Sequence, residues 1–195
     1  VQQPTPNARR RRSESGAPSR LRFGYSLGGY LVARAAAHDH RLAALTLDDG
    51  LYSYGEAHIR FMPPFLRDWI QAGRDDLANP VLSLLMQSGT QLRWALRNGV
   101  WAFGATSLAD YIRRTADYTL DGAAHLIDCP TLVLDAENDQ FFRGQPQRVQ
   151  AALTCPHTLV TLPEAEGAGE HCHMGAMARV NQITFDWLDT TLPTT

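Results

Sequence analysis

Apolar positions change their period along the chain, and the changes mark out its elements. Residues 1–19 are Gln, Pro, Asn, Arg, Ser and Gly with no apolar period, which reads as a disordered basic leader. Leu21–Tyr25 predicts a short strand, and Leu27–Ala37, rich in Ala, Leu and Val, predicts a helix packed on both faces. Leu42–Leu47 is the unbroken apolar run of a buried strand, stopped by Asp48-Asp49-Gly50. Residues 57–125 read as helical throughout, with Phe65, Trp69 and Ile70 on one helical face and Leu92, Leu96 and Trp101 about a turn apart. Ser107 followed by Asp110 resembles a capping box. Strands return at Thr131–Leu134 and Thr158–Leu162, with helices over Val149–Leu153 and Met177–Leu188. Strand–helix alternation around one helical insertion predicts an α/β fold with a mainly parallel sheet and flanking helices. The division expected is a leader (1–19), core (20–56), helical cap (57–125) and core again (126–195).

Composition narrows the chemistry. With 195 residues, 44% of them hydrophobic, the chain has enough apolar material for a real core, which excludes a collagen-like or wholly disordered protein. All 18 basic residues are Arg, so lysine Schiff-base and phosphate-loop lysine chemistry are excluded. The net charge of −2 conceals an asymmetry, because residues 1–22 carry six Arg against Glu14 alone. No aromatic residue sits among those arginines to stack a base, so a solvated leader is expected and no nucleic-acid partner. Nor is a membrane partner expected, since no apolar stretch approaches the roughly 18 residues of a span. The Arg run leads into Ser13 and Glu14, unlike a signal peptide. Cys129, Cys155 and Cys172 are odd in number and form no CxxC pair, which predicts a reduced, cytoplasmic protein.

The sharpest motif is Gly24-Tyr25-Ser26-Leu27-Gly28, the G-x-S-x-G pattern of a nucleophile elbow, lying between a predicted strand and a predicted helix. Such a turn holds Ser26 in a strained conformation. It brings the positions two before and two after too close for side chains, which is the role expected of both Gly24 and Gly28, with Gly29 adding clearance. The Leu27 N–H, at a helix N-terminus, is then placed to face a developing oxyanion.

Gly24–Gly29 and the following Tyr30–Ala37 resemble the elbow and helix of α/β-hydrolases. Within that superfamily the chain is similar to the pseudooxynicotine hydrolase-like branch, related to dipeptidyl-aminopeptidase and acylaminoacyl-peptidase type enzymes. Glu166-Gly167-Ala168-Gly169-Glu170-His171-Cys172 resembles that branch's histidine loop. The resemblance implies a triad in the order Ser, acid, His: Ser26 as nucleophile, Asp139 as acid and His171 as base. Asp135, Glu137, Asp48 and Asp49 stand as rival acids, and His173 as a rival base. No metal, nucleotide or flavin cofactor is implied. Glu170–His173 with Cys155 and His157 holds metal-binding residue types but no metal-site spacing. On an extended segment His171 and Cys172 would face opposite ways, so no metal site is expected there.

The insertion falls where hydrolases of this type carry a cap. Of its aromatic residues Phe61, Phe65, Trp69, Trp94, Trp101, Phe103 and Tyr111, most are expected in the cap core and a few against a small, hydrophobic or aromatic substrate. The reaction implied is hydrolysis of an ester, amide or related carbonyl compound through an acyl-serine, with carbon–carbon bond hydrolysis open to the same triad.

One departure weighs against this. Relatives place several strands, and a loop giving a second oxyanion donor, before the elbow, whereas only about 20 polar residues precede it here. This predicts a partial α/β-hydrolase fold whose central strand has an unpaired apolar edge, open to a homodimer. Loss of one oxyanion donor costs ~10²–10³ in kcat. The alternative function is therefore an inactive hydrolase fragment or a small-molecule binding module.

Overall fold

A computed structural model describes residues 20–192, so the predicted leader lies outside the described residues. Four strands, β1 (Arg20–Tyr25), β2 (Leu42–Asp48), β3 (Thr131–Ala136) and β4 (His157–Leu162), form one sheet in the order β1-β2-β3-β4. Every neighbouring pair is parallel. The inner strands β2 and β3 are almost wholly buried, which explains their unbroken apolar runs. Among the described residues β1 pairs only with β2, so its outer side is a sheet edge, with Leu21 and Tyr25 exposed.

Side chains alternate across the sheet with the period of two that strands impose. Leu45, Leu47 and Val133 face one core, packed under α1 (Leu27–Ala36) and α7 (Gln145–Ala152). Leu132, Leu134 and Leu162 face the other, packed with Val180 of α8 (Met177–Thr191). Helix α7 starts earlier than its apolar positions suggest: Gly144, at φ 82°, turns the chain, and Pro146 suits a first helical turn.

Between β2 and β3 stand five helices: α2 (Tyr54–Ile59), α3 (Pro64–Gln71), α4 (Asp75–Leu85), α5 (Thr90–Ala102) and α6 (Leu108–Thr115). They bury a core of their own, with Leu66, Ile70, Leu82, Leu96, Tyr111 and Ile112 at its centre. An isolated antiparallel bridge, Ser53 to Thr119, joins the chain where it enters and leaves this layer. Arg113 fixes the α6–α4 contact through two hydrogen bonds to Asp75, of 2.6 and 3.0 Å. The capping at α6 differs in one detail from the expected box. Ser107 accepts from the Asp110 N–H as predicted, but Asp110 reaches back to the Thr106 N–H instead of that of Ser107.

The aromatic positions divide differently from expectation. Tyr111 is fully buried, and Trp69 and Phe103 pack against the same core. Trp94 and Trp101 instead face solvent, 65% and 81% exposed, as does Phe61. The buried face of α5 is carried by Leu96 and Gly99, which turns the Trp positions outward. Leu92 is likewise exposed, so the expected Leu92–Leu96–Trp101 face is buried only at Leu96.

A buried polar relay crosses this layer. The His58 Nδ1 nitrogen lies 2.8 Å from the Tyr54 carbonyl, so Nδ1 carries the proton and Nε2 accepts from the Tyr111 hydroxyl at 2.8 Å. The Tyr54 and Tyr111 hydroxyls are 2.9 Å apart. Burial holds the His58 pKa below its ordinary 6.5. The neutral ring therefore contributes stability fully above about pH 6.5, and this is lost as pH falls through that value while the unfolded chain takes up its proton. Between about pH 7 and pH 5 the wild-type Tm is expected to fall more steeply than that of His58→Gln. Parallel melting curves would refute the buried, neutral assignment.

Candidate active site

In a parallel sheet all strands end at the same edge, and the loops leaving that edge converge. Ser26 follows β1, Asp48 and Asp49 end β2, Asp139 follows β3 and His171 lies in the loop after β4. The register sets Tyr25 opposite Asp48, Asp48 opposite Leu134, and Ala136 opposite Leu162. The carboxyl ends thus meet at one level.

Ser26 occupies φ 51°, ψ −125°, a conformation costly for any residue with a side chain. Its N–H donates to the Asp48 carbonyl at 3.0 Å, pinning the turn to β2. Leu27 is the first residue of α1, where a helical N–H has no intrahelical acceptor. A Cβ on Gly24 would sit 2.3 Å from the Gly28 carbonyl oxygen and 2.5 Å from Val32 Cγ2. A Cβ on Gly28 would meet nothing within 4 Å, so the expected steric need there is not found; Gly29 has only ordinary contacts. The approach is one-sided: the backbone of Gly28 crowds Gly24, but Gly28's own side-chain direction is open.

His171 Nε2 lies 3.0 Å from Ser26 Oγ, and Nδ1 lies 3.0 Å from Asp139 Oδ2. A second carboxylate reaches the same nitrogen, with Asp49 Oδ2 at 2.8 Å. Asp49 Oδ2 also accepts the Cys172 N–H. Asp139 Oδ1 accepts the N–H groups of Phe141 and Phe142 at 2.6 and 3.1 Å. Both phenyl rings stand edge-on to the imidazole, with centroids 4.9 and 5.2 Å away. The Asn138 N–H donates to the Gly169 carbonyl at 2.8 Å and ties the acid loop to the histidine loop.

The other sequence candidates lie elsewhere. Asp135 accepts from Gln147 and Thr161, and Glu137 from the Glu164 N–H. His173 is fully buried, with Nδ1 2.6 Å from the Ala168 carbonyl and Nε2 facing Asp48, while His171 is the histidine at Ser26. His157 Nδ1 lies against the Cys155 carbonyl, at the start of β4 and so at the opposite end of the sheet. Phe141 and Phe142 escaped the sequence reading. The signal was their position two and three residues after an acid whose free oxygen caps their N–H groups.

The charges follow from burial and contact. Burial opposes a charge on His171, but hydrogen bonds to Asp139 and Asp49 outweigh it and hold its pKa well above 6.5. Burial works against ionised Asp139 as well, yet His171 and the two backbone donors leave its pKa below the ordinary value. Asp48, with burial and the neighbouring Asp49 against its ionisation, is pushed up to about 8. The arrangement favours the imidazolium form of His171.

No protein-family model matches the chain. It is 31% identical over 177 residues to hydrolase LUC6 of a Fusarium species, a match spanning 87% of this chain and 42% of that protein. To the α/β-hydrolase psoB of Aspergillus fumigatus it is 33% identical over 187 residues, spanning 85% and 40%. FUS2 of Gibberella moniliformis, a 20-hydroxy-prefusarin hydrolase, is 31% identical over 87% of this chain and 42% of its own length. Among solved structures, the α/β-hydrolase GrgF of a Penicillium species superposes with a TM-score of 0.60 at 17% identity, over 89% of this chain and 64% of that one. The 2,6-dihydroxy-pseudo-oxynicotine hydrolase gives 0.59 at 20% identity, over 87% and 39%. The chain has the α/β-hydrolase fold and resembles fungal α/β-hydrolases in sequence. It spans about two-fifths of the length of the curated relatives it matches.

The one-sided elbow generates a prediction. Gly24→Ala forces a backbone contact apart and is expected to lower Tm sharply or prevent folding. Gly28→Ala is expected to leave stability unchanged or raise it by up to ~1 kcal/mol, with Tm unchanged or higher, because alanine favours the helix. Equal melting losses in both variants would contradict the structure.

Proposed function

We propose that Ser26, His171 and Asp139 form the triad of a serine hydrolase acting on an ester, amide or related carbonyl group of a small organic molecule. The observation that carries this is the unbroken path Ser26 Oγ–His171–Asp139, with both steps at 3.0 Å. Ser26 attacks the carbonyl carbon as its proton passes to Nε2 of the neutral His171 ring, a form that the raised pKa makes more available as pH rises, and Asp139 holds the Nδ1 proton. The Leu27 N–H stabilises the oxyanion at the start of α1. The imidazolium then protonates the leaving group, and water, deprotonated by His171, releases the acyl group. Phe141 and Phe142 beside the imidazole favour an apolar acyl portion. FUS2 and the pseudo-oxynicotine hydrolase, both named for organic substrates, support a small-molecule reaction.

Asp49 shares the Nδ1 contact, so the acid function is divided between two carboxylates. A second reading is a binding module without turnover, favoured by the edge of β1 left unpaired among the described residues.

A fluorophosphonate probe separates the readings. One adduct by intact mass, absent in Ser26→Ala, is expected; a folded chain with no adduct favours the binding module. Asp139→Asn and Asp49→Asn should each slow labelling by less than the ~10⁴-fold that loss of a lone triad acid costs, and the double variant should approach Ser26→Ala. If Asp139→Asn alone reaches that floor, the sharing is refuted. Adduct formation in Ser26→Ala would overturn the triad itself.

A further inference from the structure

Beneath His171 lies a second polar cluster that the proposed reaction does not use. Asp48 and Asp49 at the end of β2, and His173 in the loop after β4, are all 0% exposed. His173 Nδ1 lies 2.6 Å from the Ala168 carbonyl, which requires the proton on Nδ1 and leaves Nε2 of a neutral ring as a bare lone pair. That lone pair faces Asp48 Oδ1 at 3.3 Å and Asp49 Oδ1 at 3.9 Å, which are acceptors when ionised; a proton on Asp48 would satisfy His173 Nε2 alone and leave Asp49 Oδ1 bare. Asp48 Oδ1 and Oδ2, Asp49 Oδ1 and His173 Nε2 are all buried without a hydrogen-bond partner among the described residues. Protonating His173 would supply one N–H for three carboxylate oxygens, and buried acceptors left bare are costly. A cation satisfies all four atoms at once.

We propose that Asp48, Asp49 and His173 bind a divalent transition-metal ion, of the zinc or manganese type, that ties the end of β2 to the histidine loop. The three residues offer ligand atoms within 4.8 Å of one another. One imidazole nitrogen with carboxylate oxygens suits Zn²⁺ or Mn²⁺ better than a soft ion such as Cu(I). The Nδ1–H of His173 on a backbone carbonyl is the orienting bond that metal-binding histidines characteristically make. Asp49 divides its two oxygens: Oδ2 takes His171 and the Cys172 N–H, and Oδ1 is left for the ion.

The sequence pointed away from a metal because it treated residues 170–173 as extended. They form a tight turn instead, with Cys172 and His173 at φ 54° and 49°, which swings His173 under His171 toward the aspartates. Cys155 and His157 take no part. The inference does not depend on the hydrolase reading.

The test is metal content and uptake by the whole chain. After EDTA treatment and desalting, the protein is titrated calorimetrically with Zn²⁺ and Mn²⁺, and Tm is read with and without each ion. About one equivalent bound and a higher Tm are expected. Asp48→Asn and His173→Gln should each weaken binding about 10- to 100-fold, and Cys172→Ala should leave it unchanged. Should Asp48→Asn fail to fold, His173→Gln decides the matter alone. No uptake by folded wild type at about 1 mM ion would overturn the proposal in favour of protons and water. Uptake unchanged in His173→Gln, or abolished in Cys172→Ala, would overturn it by placing the ion elsewhere.

Discussion

Everything at the site depends on Ser26 staying in a backbone conformation that it does not prefer. Three contacts hold it there: its N–H on the Asp48 carbonyl, the crowding of Gly24 by the Gly28 backbone, and the run of α1 behind it. Two of these reach outside the elbow into β2 or the helix, so the strain is supported by the sheet and not by the loop alone. The same constraint recurs nearby. Asp49, Cys172 and His173 are the other non-glycine residues with positive φ among the described residues, and all lie within the same group of loops. Strain of this kind persists where surrounding structure over-determines it, and it concentrates at functional sites.

Electrostatics gives those loops a reason to be drawn together. Three aspartates and two histidines are packed where water is largely excluded, and ionised carboxylates in such a place need partners. His171 serves Asp139 and Asp49 together, and backbone N–H groups of Phe141, Phe142 and Cys172 supply the remaining donors. Asp48 has no such donors among the described residues, and burial beside Asp49 raises its pKa. Aspartates one residue apart in sequence thus meet different fates because their oxygens point into different surroundings.

Much of this was legible in the sequence, for identifiable reasons. Continuous apolar runs at Leu42–Leu47 and Thr131–Leu134 announce strands buried on both faces, and Gly-x-Ser-x-Gly between a strand and a helix announces the elbow. What the sequence lacks is direction. It offered five acids, yet only the register of β2 against β1 and β3 brings Asp49 to His171 beside Asp139 while Asp48 faces His173. The same limit applies to Trp94 and Trp101. Aromatic content suggests a core, but the buried side of α5 is set by Leu96 and by Gly99, whose missing side chain makes room for the Tyr111 ring.

The loop that carries Asp139 joins His171 to the rings around it. Asp139 uses one oxygen for His171 and the other for the N–H groups of Phe141 and Phe142, whose rings stand against that histidine. Asp139 therefore acts both on the orientation of His171, which it shares with Asp49, and on the wall beside the ring. Asp49 instead accepts the Cys172 N–H within the histidine loop. The two carboxylates both reach Nδ1 but differ in what else they hold, since Asp139 also fixes Phe141 and Phe142 beside the ring and Asp49 fixes the loop that carries His171.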